Sequence, residues 1–326
     1  MIRAPFILLV SLVWSALTAW SRGLHRLGVL RSIRLPVRTI AVGNFEAGGT
    51  GKTPVVALIA QEAVSRGLHP VILSRGYGGR WEKRGGVLEP LVPGASFADP
   101  LDCGDEPALL RERVPEAWIG VGADRWASFE RVREQARQRG LPEPDLAILD
   151  DGLQHLSLDR DLELVLQTSA RPWSRVFREW PGTRRVPALF AWSRGAVPPI
   201  GWGRHSGHAI RLKWRSIPTH AVQGSPELWL VTGVADGTRV RAALEEQGWQ
   251  VSAHSNCRDH ARYNRQWVDE ILDRARRGGL QPATTGKDWV KWKRLGVPES
   301  AVVVFEPELV LDDEGRRRWS RMLWQN

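Results

Sequence analysis

From Pro36 onward, short apolar runs alternate with longer stretches in which apolar residues recur every three or four positions. The short runs are Thr39–Val42, Pro70–Leu73, Trp118–Val121, Leu146–Leu149, Glu163–Leu166, Leu228–Val231 and Ala301–Phe305. Their length and content predict buried strands. The amphipathic stretches Lys52–Arg66, Asp105–Arg113, Ala123–Arg139, Arg239–Gln247 and Arg265–Arg277 predict helices. That alternation is the mark of β-α-β units, so the fold class is α/β: a mostly parallel sheet with helices on both faces. Between Arg171 and Gly224 the pattern gives way to Pro, Gly, Trp and Arg, and then resumes. We place a lobe boundary there, giving a larger α/β domain at 36–210, a smaller α/β lobe at 211–326 and a separate N-terminal segment at 1–35.

That segment holds sixteen uncharged residues, Pro5–Trp20, between Arg3 and Arg22. A full membrane span needs about 20 apolar residues, so this one is short. A cleaved signal peptide, an ordinary buried helix and a helix lying in one leaflet all fit its composition. We expect the third. Export would carry the phosphate-binding loop described next into a compartment without nucleoside triphosphate.

Charge supports a membrane surface as partner. The net charge is +10, and residues 1–38 carry six arginines and no acid, leaving 40 basic and 36 acidic side chains elsewhere. A basic collar beside an apolar helix suits anionic headgroups. The apolar share of 42% and charged share of 25% exclude wholesale disorder and a multi-span membrane protein. The two cysteines, Cys103 and Cys257, cannot form a disulfide framework and are compatible with a reducing cytoplasm.

Candidate chemistry begins at residues 43–54, GNFEAGGTGKTP, between a predicted strand and a predicted helix. This is the setting of a phosphate-binding loop: glycines admit backbone N–H groups to the phosphates, and the helix N-terminus adds a positive dipole. Asn44, Gly48, Gly49, Thr50, Gly51, Lys52 and Thr53 are the candidate nucleotide contacts. Lys52 would reach the β and γ phosphates and Thr53 would hold Mg²⁺. The loop is a variant, with Glu46 where glycine is usual. A second signal is the strand that ends in Asp150-Asp151-Gly152-Leu153-Gln154-His155, since carboxylates at a strand end beside such a loop are placed to bind Mg²⁺.

Other segments are ambiguous alone. Asp105, in Cys103-Gly104-Asp105-Glu106-Pro107, is equally a helix N-cap. His260, after Asp259, is a single histidine. Arg75-Gly76-Tyr77 and Asp124-Arg125 each follow a strand and point to the same crevice, whereas Thr285-Gly286-Lys287-Asp288 follows no clear strand.

Together these segments resemble the tetraacyldisaccharide 4'-kinase (lipid A 4'-kinase) family. The resemblance rests on Arg34-Leu35-Pro36-Val37, the Gly48–Pro54 loop, Ser74-Arg75-Gly76-Tyr77-Gly78-Gly79, Gly104–Pro107 and Asp150–His155, in that order. Weaker echoes are Thr232-Gly233-Val234, Asp259-His260, Thr285–Asp288 and an arginine in Thr183–Pro187, where Val186 stands in place of the family's Glu. Ala261 and Gly286 are two further departures, replacing a His and a Glu. The resemblance implies transfer of the γ-phosphate of ATP to the 4'-hydroxyl of tetraacyldisaccharide 1-phosphate, a lipid A precursor, at the cytoplasmic face of the inner membrane.

It also implies that an Asp–His pair supplies the base, which falls here on Asp105 and His260, with Lys52 stabilising charge. Thr53, Glu106 and Asp151 are candidates for Mg²⁺. Arg75, Tyr77, Arg125, Asp150, Gln154, His155 and Arg185 are candidates for substrate, and Arg171, Arg175, Arg184 and Arg185 for its 1-phosphate. If Asp105 and His260 meet, Cys103 and Cys257 are expected near one another. The alternative reading is a nucleotide-dependent switch acting on a membrane partner, which would need Lys52 and Asp151 but not His260. No protein partner is legible. Nucleic-acid binding is not expected, because the basic excess sits at the N-terminus and no nucleic-acid module is present.

Overall fold

All seven predicted strands and five predicted helices are present, with ends shifted by about two residues at most, except that the strand predicted at Ala301–Phe305 runs from Val303 to Val310. The protein, described by a computed structural model, is defined at residues 3–46, 49–91, 98–167, 176–179, 188–192, 209–220 and 227–325. In chain order its first part contains α1 (Arg3–Arg26), β1 (Arg38–Asn44), α2 (Lys52–Ser65), β2 (Pro70–Ser74), α3 (Trp81–Arg84), β3 (Gly86–Leu88), α4 (Pro100–Cys103) and α5 (Asp105–Arg113). There follow β4 (Trp118–Val121), α6 (Arg125–Arg139), β5 (Leu146–Asp150), β6 (Leu162–Gln167), β7 (Ala188–Trp192) and β8 (Ala209–Arg211). The second part contains β9 (Lys213–Pro218), β10 (Leu228–Thr232), α7 (Gly237–Glu246), β11 (Val251–Asn256), α8 (Arg265–Arg277), β12 (Gln281–Thr285), α9 (Gly286–Arg294), β13 (Val303–Val310) and α10 (Asp313–Trp324).

Two sheets result. The first has the order β3-β4-β2-β5-β1-β6-β7-β8 and is parallel except for the edge pair β3–β4. The second has the order β11-β10-β12-β13-β9, with β9 antiparallel on β13. Strands β1 and β5 lie side by side at the centre of the first sheet, Val42 opposite Asp150. The phosphate loop and the Asp150–His155 turn therefore leave the same sheet at adjacent carboxyl ends, where open α/β sheets form ligand crevices.

The lobes are joined through α5 and α9, with ion pairs Lys293–Glu112 at 2.8 Å and Arg294–Asp99 at 2.8 Å. Helix α10 returns to the first sheet: Trp319 is buried there and its indole N–H donates to Glu62 of α2. Thr285–Asp288, which the sequence left without a strand, follows β12. Its residues Gln-Pro-Ala-Thr-Thr carry little hydrophobicity, but the strand is buried because β10 and β13 flank it.

Helix α1 is apolar and mostly exposed. Phe6, Leu9, Val13, Leu17 and Trp20 face outward, while Ser11 and Ser15 are buried against the protein. This inversion of the usual amphipathic pattern excludes an ordinary core helix for residues 5–20.

Candidate active site

The phosphate loop is formed as its residues require. Gly51 has φ 86°, the left-handed region where glycine carries no steric penalty, and turns the chain into α2. No side chain caps α2 among the described residues. Its first N–H groups are thereby left for an anion, in line with the helix dipole. Lys52 Nζ lies 3.3 Å from Asn44 Oδ1 and 3.7 Å from Asp151 Oδ1. The Thr50 hydroxyl is buried without a hydrogen-bond partner. Both features fit a bound phosphate chain. Glu46 is buried and forms an isolated antiparallel bridge with Phe177 just beyond the end of β1.

That bridge brings in a residue the sequence reading missed. The Arg178 backbone N–H donates to the Phe45 carbonyl at 2.6 Å. Its guanidinium holds both Asp151 carboxylate oxygens, at 3.1 and 3.2 Å, and donates to Asn44 Oδ1. Arg178-Glu179 also carries the Arg-Glu order that the resemblance sought at Thr183–Pro187. The arginine at the loop is Arg178; Arg185, with Arg171, Arg175, Arg184, Val186 and Gly48, lies outside the described residues.

Asp151 has φ 50°, and His260 has φ 55°; among the described residues they are the two non-glycine positions in the left-handed region. Strained backbone of this kind concentrates at functional sites. Burial pushes the Asp151 carboxyl up, but Lys52 and Arg178 outweigh it and leave the group below its ordinary range. The neighbouring Asp150 goes the other way, to about 7, because it is buried and faces Glu106 and Asp151. It accepts a hydrogen bond from Ser74 at 3.0 Å.

Asp105 is positioned by a backbone-to-backbone contact of glycines. Gly104 has φ 92°, and an added Cβ there would lie 2.9 Å from the Gly76 carbonyl carbon. A Cβ on Gly76 would meet the Cys103 carbonyl oxygen at 2.6 Å. The Arg75–Gly79 turn thus packs directly on the start of α5. Gly104 is the N-cap, and Asp105 is the first helical residue, free to reach outward.

His260 Nδ1 lies 3.1 Å from Asp105 Oδ2, and Lys291 Nζ lies 3.2 Å from the same oxygen. Burial raises the Asp105 pKa, yet the His260 hydrogen bond and the Lys291 ammonium leave it below the usual carboxylate range. Asp105 is therefore a carboxylate that accepts from Nδ1–H, which leaves Nε2 as the acceptor nitrogen of the ring. Lys287 Nζ stands 3.1 Å from Nε2 and 3.2 Å from Asp259. Beneath them Asp288, fully buried, accepts from the Gly233 N–H, Thr285, Tyr263 and Lys291.

Gly286, a departure from the family pattern, lies against the Glu306 side chain, which would have to shift to admit a larger residue. A Cβ would lie 2.6 Å from Glu306 Oε1, whose carboxylate pairs with Arg113 at 2.9 Å. Ala261, another departure, contributes its carbonyl to Lys291 at 3.1 Å.

A cleft of about 460 Å³ joins these groups. It is lined by Gly49–Pro54, Glu106, Asp151 and Arg178 on one side and by Val234–Asp236, Asp259, His260, Lys287 and Phe305 on the other. A larger hollow of about 680 Å³ at the amino ends of β1 and β6 contains none of the candidate residues. Chemistry, not size, singles out the cleft.

The remaining candidates lie beside or below it. Tyr77 is exposed, its ring centroid 5.4 Å from that of His260, and Arg75 pairs with Glu82. Arg125 and Asp150 are buried under the crevice rather than open to it. Gln154 donates to the Asn44 carbonyl, and His155 is pushed down to about 4 by burial and by Arg125. Cys103 and Cys257 are both free and occupy different hydrophobic clusters, so the expected approach of the two thiols is not seen. Burial pushes Cys103 up to about 12.

Thr53, Asp151 and Glu106 present only oxygen donors to the cleft, the ligand chemistry of Mg²⁺. No grouping of three or more His, Cys, Asp or Glu side chains suited to a metal occurs among the described residues.

Comparison with known proteins gives one answer. The family model described as tetraacyldisaccharide-1-P 4'-kinase matches residues 3–178 and 203–323. A tetraacyldisaccharide 4'-kinase from Pelobacter propionicus is 34% identical over 301 residues, covering 86% of this chain and 81% of its own. One from Geobacter metallireducens is 32% identical over 299 residues, covering 85% and 86%. The crystal structure of the "apo" form of LpxK from Aquifex aeolicus in complex with ATP superposes with a TM-score of 0.73 at 24% identity, covering 99% of this chain and all of that one.

Proposed function

This chain belongs to the tetraacyldisaccharide 4'-kinase family, and from that premise we propose that it transfers the γ-phosphate of ATP to the 4'-hydroxyl of tetraacyldisaccharide 1-phosphate in lipid A biosynthesis. The observation that carries this reading is the Asp105–His260 contact at 3.1 Å, with His260 lining the same cleft as Lys52. A nucleotide switch needs Lys52 and Asp151 but not His260. A kinase needs a base facing the loop.

Phosphoryl transfer asks the protein mainly to position reactants and to stabilise charge. The N-terminus of α2, Lys52 and Arg178 bind the phosphates. Thr53, Asp151 and Glu106 would hold Mg²⁺, which when bound neutralises phosphate charge. The 4'-oxygen attacks the γ-phosphorus, the bond to the β–γ bridging oxygen breaks, ADP leaves, and the hydroxyl proton passes to His260 Nε2. Asp105 keeps the imidazole in the Nδ1–H tautomer and stabilises the imidazolium that forms. Lys287 moves from Nε2 toward the transferring group, where negative charge develops.

The exposed apolar face of α1 and the arginines that follow it hold the enzyme at the cytoplasmic face of the inner membrane as a peripheral protein. The polar face is occupied by the protein itself, which supports a helix lying in the surface over one that crosses. Arg171, Arg175, Arg184 and Arg185 are proposed to meet the 1-phosphate, with Tyr77 and Arg75 at the acceptor side of His260. We keep the division of the chain at about residue 210 as part of this reading. The test is mass spectrometry and phosphorus NMR of the lipid after incubation with ATP and Mg²⁺. One added phosphate at the 4' position is expected; ATP hydrolysis with unchanged lipid would favour the switch.

A further inference from the structure

Ser11, Ser15, Thr18 and Arg22 of α1, spaced 4, 3 and 4 apart, fall on one face of the helix, and the three hydroxyls are the polar residues of its apolar stretch at 5–20. All four contact the segment that carries Arg178. Ser11 Oγ accepts from the Phe177 N–H at 3.0 Å, and Ser15 Oγ donates to the Phe177 carbonyl at 3.5 Å. Thr18 Oγ1 donates to the Arg178 carbonyl at 3.0 Å. Arg22 donates to Glu179 Oε1 at 2.6 Å and to the Leu153 carbonyl at 3.2 Å. Three consecutive residues are thus fixed from one side by α1, while the Arg178 N–H is fixed from the other by Phe45.

We propose that the polar face of α1 is a positioning element of the nucleotide site, acting through Arg178. This rests on the phosphate-loop reading above. A helix that served only as a membrane anchor would need no polar contacts with the body of the protein. Hydroxyls in such a helix satisfy themselves on the preceding turn. Here Ser11 donates to the Ile7 carbonyl and also accepts from the Phe177 N–H, and the Thr18 hydroxyl shares its one proton between the Trp14 and Arg178 carbonyls. The Arg22–Glu179 pair is nearly buried, with side chains 10% and 3% exposed. Burying two charges costs desolvation that a well-made pair only about offsets, so the pair's evident contribution is geometric. It sets the backbone from which the Arg178 guanidinium reaches Asp151 and Asn44. ATP affinity is thereby tied to the docking of the helix that also faces lipid.

The experiment is a mutant cycle on the full-length protein in detergent micelles, reading KM for ATP, kcat and the thermal midpoint. Arg22→Ala and Arg178→Ala are each expected to raise KM for ATP about tenfold, the usual scale for a lost charge-assisted hydrogen bond. The double variant should be no worse than Arg178→Ala alone. Thr18→Val, a milder change that keeps the helix intact, should raise KM about threefold. Leu9→Ser, on the exposed face, should lower vesicle flotation and leave KM for ATP unchanged. A fall in thermal midpoint with KM unchanged in both Arg22→Ala and Thr18→Val would overturn the proposal, as would multiplying effects in the double variant. Wild-type protein without measurable ATP binding would instead overturn the phosphate-loop reading, and the positioning role with it.

Discussion

His260 Nδ1 meets Asp105 Oδ2 at 3.1 Å although the two residues are 155 positions apart in the chain. One stands on the loop after β11 in the second sheet and the other begins α5 over the first. The contact exists only when both lobes are assembled. Either lobe alone carries an ordinary carboxylate or an ordinary histidine.

The pair should therefore behave as a unit. Asp105→Ala and His260→Ala are each expected to lower kcat by about 10²–10⁴, the range for a general base. The double variant should fall no further, because groups acting together are not additive. Steady-state kinetics at saturating ATP checks both statements, and KM for ATP should change little.

The glycines under Asp105 make a second prediction. Gly104→Ala adds a Cβ 2.9 Å from the Gly76 backbone at φ 92°. The combined clash and left-handed strain should cost about 2–4 kcal/mol. A lowered thermal midpoint is expected, with kcat reduced in the protein that remains folded, since Asp105 is the next residue.

Asp150 predicts a pH effect on stability. Its pKa in the folded protein is about 7, raised from 3.8 by burial and by Glu106 and Asp151. The native state then holds the proton more tightly than the unfolded chain, so this group weakens the fold as pH rises from about 4 through 7. Without nucleotide or divalent cation, Asp150→Asn should raise the thermal midpoint at pH 8. The difference should close as pH falls to 5. Calorimetry at the two pH values tests it.

Glu306 and Gly286 predict a reciprocal pair. Gly286→Glu drives a side chain into the space of the Glu306 carboxylate, 2.6 Å away, and sets two like charges against one Arg113. It should destabilise the protein by about 1–3 kcal/mol. Adding Glu306→Ala should recover much of the loss, as read by urea unfolding.

The legibility of these features in the sequence differed for physical reasons. The β1–loop–α2 unit was plain because its glycines, Lys52 and Thr53 are needed locally, within one turn of chain. The strands β2, β4 and β5 are plain because both faces are buried and all residues before the last are apolar or glycine. β12 was not, since Pro282, Thr284 and Thr285 are buried by neighbouring strands and by hydrogen bonds such as Thr284 to the Val231 carbonyl, not by their own hydrophobicity. β11, a polar edge strand, gave no periodic signal either.

Arg178 was invisible for a different reason. It belongs to no helix or strand, and its place depends on α1 and the Phe45 carbonyl, contacts that no spacing rule encodes. Its one local sign is the adjacent Arg178-Glu179 order, which competes with the arginines at 184 and 185 a few residues on. The pairing of Asp105 with His260 came from the resemblance, because nothing between residues 105 and 260 specifies it.

The most direct test is transfer of labelled γ-phosphate from ATP to tetraacyldisaccharide 1-phosphate in detergent micelles, with wild type beside Asp105→Ala and His260→Ala. Label on the lipid with wild type, and its loss in both variants while ATP still binds, is the predicted result. Lipid labelling that survives His260→Ala undiminished would contradict the assignment of the base, and ATP turnover with no labelled lipid would contradict the kinase itself.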